Sequence, residues 1–285
     1  WQYALIGGLL AREHPVTLVG RQEHVRAVQA DGLAITGEVE TVVHPQASTG
    51  VPDAADLVVV TVKAHDTPAA VEGLAGCDCN VVLSLQNGLG NEDQLAPLEA
   101  TVLAGTATYG AIRDDPGTVR CTGLGEVVLG SPDGGRSRTA DRVGDAFATA
   151  GIETTVAPDM PRRLWEKLAV NAGINATTAL SRVTNGALAD GPLAVVAREA
   201  ARETARVAKD RGVDLSDETA VDAFESVVAA TADNESSMYR DVQAGRRTEI
   251  DAINGYVADS DVETPINDTL AALLRGWERE RELRN

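Results

Sequence analysis

Two nearly unbroken apolar runs, residues 57–62 (LVVVTV) and 81–85 (VVLSL), constrain the fold of this chain most. β-Branched residues without polar alternation belong to strands covered on both faces, the condition of a parallel sheet. Residues 67–75 between the runs read as a helix, as do 23–30 and 92–98 to either side. A shorter strand, 16–19, ends at Gly20-Arg21, and 5–12 before it is helical. This alternation predicts a right-handed, doubly wound α/β sheet. Such sheets take ligands at the carboxyl ends of their strands, where Arg21, Lys63 and Asn87 stand.

The pattern then changes twice. Residues 102–156 carry short strands with turns and one helix at 139–150. From there the chain reads as helices at 161–179, 193–211, 219–232, 236–244, 250–258 and 265–282. The expected division is an α/β domain over 1–157 and an all-helical domain over 158–285.

Composition narrows the partners. A net charge of −18 repels nucleic acid and anionic membranes. No apolar run approaches the roughly 20 residues of a membrane span, and no leader-like start is evident. Aromatic residues make up only 3%, so the cores are built from Ala, Val and Leu. Three cysteines, Cys77, Cys79 and Cys121, are too few for a disulfide framework and point to a reducing cytoplasm. Cys77-Asp78-Cys79 and the four histidines lack metal-ligand spacing, so no metal is expected. Lys63, Lys167 and Lys209 are the only lysines. Acidic excess with scarce lysine is the bias of proteins that work in high salt, which makes each retained lysine worth attention.

One of them lies in the segment 165–175, WEKLAVNAGIN. Read as a helix, it stacks Lys167, Asn171 and Asn175 on one face at i, i+4 and i+8, with apolar residues over most of the rest. An ammonium and two amides in so apolar a helix form a donor strip for an oxygen-rich small molecule; a solvated face is the plain alternative. Further on, one of Ser236 and Ser237 suits a helix cap, and Glu249 and Asp251 suit a helix start. Arg21 after the second-strand signal is the position where an arginine accommodates a 2′-phosphate, so the cofactor leans to NADP(H).

The strings VKAHD, QNGLG, WEKLAVNAGINATTAL, SSMYRDV and GRRTEIDAINGY resemble those of the ketopantoate reductase family, in family order. The resemblance implies a Rossmann domain followed by a helical domain, and NADPH-dependent reduction of ketopantoate to pantoate on the way to coenzyme A. It further implies that Lys167 is the catalytic lysine and that Asn171, Asn175, Asn185 and Ser237 contact substrate. Asn87 would touch both substrate and cofactor, Glu249 would lie beside the nicotinamide ribose and substrate, and Arg21, Lys63 and Ala111 would contact the cofactor. A homodimer is a reasonable expectation from the long apolar helices.

One departure stands out. The family opens on a strand and a G-x-G-x-x-G turn, whereas this chain has Trp1-Gln2-Tyr3-Ala4-Leu5, and Gly7-Gly8 falls inside the first helix. The expectation is a natural protein longer by about ten residues, with poor NADPH binding by the chain beginning at Trp1. Two other readings stay open: a reductase of a different 2-keto acid, and a non-catalytic relative that has lost cofactor binding.

Overall fold

The structure is a computed structural model and describes residues 2–284, leaving aside the side chains of Gln2 and Tyr3. Trp1 and the Tyr3 side chain, on which the start-of-chain expectation rests, lie outside the described residues. The chain forms two compact units. The first comprises Trp1–Val62, Asp66–Gln86 and Glu92–Met160; the second comprises Lys63–His65, Asn87–Asn91 and Pro161–Asn285.

The first unit contains α1 (Gln2–Leu10), β1 (Thr17–Val19), α2 (Gln22–Asp31), β2 (Leu33–Gly37), β3 (Thr41–Val43), β4 (Gln46–Ser48) and β5 (Ala54–Val60). It continues through α3 (Thr67–Leu74), β6 (Asp78–Ser84), β7 (Thr101–Ala107), β8 (Gly110–Asp115), β9 (Thr118–Gly123), β10 (Val127–Gly130), α5 (Arg138–Thr149) and β11 (Thr154–Val156). A short helix, α4 (Asn91–Leu95), precedes β7 and is briefer than its sequence pattern predicts.

The expected apolar strands are β5 and β6. They pair in parallel with Val58 opposite Val82 and Val59 opposite Leu83. β7 continues the parallel run, and β10 then pairs antiparallel, giving the order β11-β10-β7-β6-β5. The sheet is therefore mixed rather than wholly parallel. Among the described residues β5 has a neighbour on one side only. A second sheet, β3-β2-β9-β8, and a two-stranded pair, β1-β4, complete the unit. Leu5, Ile6, Leu33, Leu83, Leu103, Leu129 and Phe147 form its core.

The second unit is helical: α6 (Met160–Ser181), α7 (Gly191–Asp210), α8 (Asp217–Ala230), α9 (Ser237–Gln243), α10 (Asn254–Ala258) and α11 (Pro265–Arg279). Alanines 194, 197, 200, 201, 205 and 208 bury one face of α7. Small side chains let helices approach closely. At Gly173 on α6 a Cβ would come within 2.8 Å of the Ala197 carbonyl and 2.9 Å of the Phe224 ring, so this contact requires glycine. The expected helix over 250–258 is interrupted. Residues Ile250–Ala252 form a 3-10 turn, and Ile253 leaves helical geometry at φ −109, ψ −98.

A buried polar chain accounts for that break. Asn254 donates Nδ2 to the Ala172 carbonyl at 3.0 Å and to Asn267 Oδ1 at 2.9 Å. The Asn267 amide in turn donates to Glu203 Oε2 at 2.8 Å. Glu203 also accepts the backbone N–H groups of Ile266 and Asn267, both at 2.9 Å. A carboxylate thereby satisfies orphan donors at the start of α11, where the helix dipole favours negative charge.

Candidate active site

The donor strip forms as the spacing predicts. Lys167 and Asn171 are half-buried on α6, and Asn175 is buried. None of these three side chains makes a hydrogen bond or ion pair among the described residues. Buried polar groups normally find partners, which sets the Asn175 amide apart. Burial pushes the Lys167 ammonium down to about 8, against an upward pull from the Glu249 carboxylate. Of the two opposing effects, desolvation is the larger.

Glu249 is buried on the turn before Ile250. Its neighbour Thr248 fixes that turn: the Thr248 N–H and hydroxyl donate to Glu278 Oε1 at 2.7 and 2.6 Å, and Thr248 Oγ1 accepts from the Ile250 N–H at 3.2 Å. Glu278 is itself fully buried and ion-paired to Arg284 at 3.0 Å.

Lys63 and Asn87 converge on Glu249. Lys63 Nζ donates to Glu249 Oε2 at 3.0 Å, Asn87 Nδ2 donates to the same oxygen at 3.4 Å, and the Ala64 N–H donates to Oε1 at 3.3 Å. Lys63 also donates to Asp241 Oδ2 at 2.8 Å. Burial works to depress the Lys63 pKa, but the two carboxylates outweigh it and hold it above lysine's ordinary value. Lys63 does not follow its strand directly; β5 ends at Val60 and a short irregular stretch intervenes.

Asn87 owes its place to the glycine beside it. Gly88 has φ +84, and a Cβ there would run into the Ala252 carbonyl. The Leu89 N–H donates to that carbonyl at 3.1 Å. Only glycine suits both the left-handed backbone and the close approach.

On α9, Ser236 is the cap: its Oγ accepts the Tyr239 N–H at 3.0 Å. Ser237 is consequently the hydroxyl left exposed, with no hydrogen bond among the described residues. Asn185 is buried beyond α6; its Nδ2 donates to Thr231 Oγ1 at 2.9 Å, and its Oδ1 has no partner among the described residues. Arg21 and Ala111 belong to the first unit. Arg21 is exposed at the start of α2, and Ala111 is half-buried on β8.

Sequence reasoning missed Asp241. It is buried, accepting Lys63 on Oδ2 and Arg246 on Oδ1 at 3.0 and 3.1 Å. The available signal was its spacing of four from Ser237, which places both on one side of α9.

A sheet unit of the dinucleotide-binding kind, joined to a helical unit that presents an uncompensated lysine beside amides, defines a two-domain oxidoreductase. Comparison with known proteins makes this specific. A family model described as "Ketopantoate reductase PanE/ApbA" matches residues 4–134, and one described as "Ketopantoate reductase PanE/ApbA C terminal" matches residues 159–278. A 2-dehydropantoate 2-reductase of Halobacterium salinarum is 44% identical, covering 97% of this chain and 96% of that protein. One of Archaeoglobus fulgidus is 37% identical over 96% and 94%. The crystal structure of a PanE/ApbA family ketopantoate reductase from Ralstonia eutropha superposes with a TM-score of 0.88 at 32% identity, covering 97% of this chain and 95% of that one. The chain belongs to the ketopantoate reductase family, oxidoreductases that reduce ketopantoate to pantoate. No helix among the described residues is long and apolar enough to cross a membrane.

Proposed function

We propose that Lys167 is the proton donor for reduction of the ketopantoate C2 ketone, with NADPH as the cofactor. The observation that carries this reading is the Lys167 ammonium itself: half-buried, without an ion pair among the described residues, and with its pKa brought to about 8. A general acid works best with a pKa near the operating pH.

Each unit by itself offers side chains of the kind such a cofactor needs. Arg21 offers an exposed guanidinium just after β1, suited to a 2′-phosphate. Lys63 and Asn87 offer an ammonium and an amide beside Glu249, suited to the ribose end, and Ala111 a small side chain. Bound NADPH supplies the hydride. Lys167 polarises the ketone oxygen and passes its proton to the oxygen as negative charge develops, leaving a neutral amine that reprotonates from solvent. The Asn171 and Asn175 amides and the Ser237 and Asn185 side chains orient the substrate through its carboxylate and hydroxyl oxygens. Glu249 keeps Lys167 charged until transfer and accepts from the substrate hydroxyl.

Steady-state kinetics of Lys167→Ala with ketopantoate and NADPH test the assignment. The expected loss is ~10²–10⁴-fold in kcat. A variant with near wild-type kcat would sink it.

A further inference from the structure

We infer that Thr178 is a positioning residue, which sets the Ser237 hydroxyl against the α6 donor strip through a hydroxyl–hydroxyl bond to Ser236. The inference rests on the proposal above that Ser237 contacts substrate.

Thr178 is fully buried on α6, three residues beyond Asn175. Its Oγ1 lies 2.7 Å from Ser236 Oγ, the residue immediately before Ser237. The proton directions follow from the surroundings. Thr178 has one hydroxyl proton, and its Oγ1 stands 2.7 Å from the Ile174 carbonyl and 3.2 Å from that of Asn175. Committed to its own helix as a donor, Thr178 must accept from Ser236. Ser236 Oγ, donating to Thr178, remains free to accept the Tyr239 N–H that caps α9. The two hydroxyl protons and the Tyr239 N–H then each have an acceptor.

The consequence is geometric. The bond ties the strip-bearing helix to the first turn of α9 at a buried point. Asn175 lies three residues before one end of the bond and Ser237 one residue after the other. A cap alone would fix the start of α9 within its own segment. The link to Thr178 fixes it relative to Asn175. Because a hydrogen-bonded pair in a low-dielectric interior is strongly directional, losing it should let the Ser237 hydroxyl drift without disturbing Lys167.

Thr178→Val keeps the shape and removes the hydroxyl. A net hydrogen bond corresponds to about twofold to tenfold in binding. The expected result is a KM for ketopantoate raised within that range, with kcat within about twofold and the KM for NADPH unchanged. Thr178→Ser should restore the wild-type KM. In a Ser237→Ala background, Thr178→Val should add nothing further, since it acts through that hydroxyl. If Thr178→Val fails to fold, Ser236→Gly removes the other end of the bond while retaining a residue tolerated at helix starts, and the same readouts apply. An unchanged ketopantoate KM in the single variant, or a full additional rise in the Ser237→Ala background, overturns the inference. If Ser237→Ala alone leaves the ketopantoate KM unchanged, the reading of Ser237 fails first and the inference with it.

Discussion

Lys63 donates to Glu249 at 3.0 Å, and the same Glu249 carboxylate also pulls the Lys167 pKa upward. Glu249 raises the pKa of both lysines, while burial lowers both. For Lys63 the carboxylates win, because Asp241 adds a second one; for Lys167 burial wins. Replacing Glu249 with Gln should therefore drop Lys167 below about 8. The alkaline limb of the kcat–pH profile should move toward acid by roughly one pH unit, at the low end of charge-pair effects. An unmoved limb would show that Lys167 does not govern it.

Lys167 should also weaken the fold it serves. Its pKa is lower in the folded protein than the ordinary 10.5, so protonation favours the unfolded chain. A fall from 10.5 to about 8 corresponds to about 3 kcal/mol at most. The penalty is full below pH 8 and fades as the pH rises from there toward 10.5. Lys167→Met should accordingly be inactive yet more stable than wild type at pH 7, with the advantage vanishing in alkaline buffer. Urea unfolding at several pH values measures this directly; equal stability at pH 7 would count against a desolvated ammonium.

Arg21 provides a test of cofactor choice. Its guanidinium is exposed and unpaired among the described residues. Arg21→Asp should weaken NADPH by about tenfold to a hundredfold, the range of a charged hydrogen bond, and leave NADH little affected. Kd values from titration of the two cofactors decide the matter. Equal losses would mean that Arg21 supports α2 and not a phosphate.

The surface carries a net charge of −18. Self-repulsion of that size opposes compactness until ions screen it. The melting temperature should climb steeply between low and molar KCl, and a flat response would remove the salt-adapted reading.

How much of this was legible depended on how local the signals are. β5 and β6 were plain, since their apolar runs admit few other structures. The sheet built on β2 was not: residues 33–48 mix glycine and polar residues, and Ala34 pairs with Thr118, far along the chain. The strip on α6 was legible because one helix carries it whole. Asp241 was hidden because its partner Lys63 is 178 positions away. Thr178 was hidden because a buried threonine inside an apolar helix reads as packing until the hydroxyl opposite it is known. The break at Ile253 had no local mark either; it follows from the Asn254 amide being committed to Ala172 and Asn267.

The Leu89–Ala252 backbone bond makes the turn bearing Asn87 and the turn bearing Glu249 a single mechanical part, although 162 positions separate those two residues. Gly88 presses against the same Ala252 carbonyl, so neither turn can be lengthened or redirected alone. Anyone redesigning this reductase for another keto acid would have to exchange both turns as a matched set, and a library that varied one of them would mostly sample misfit halves.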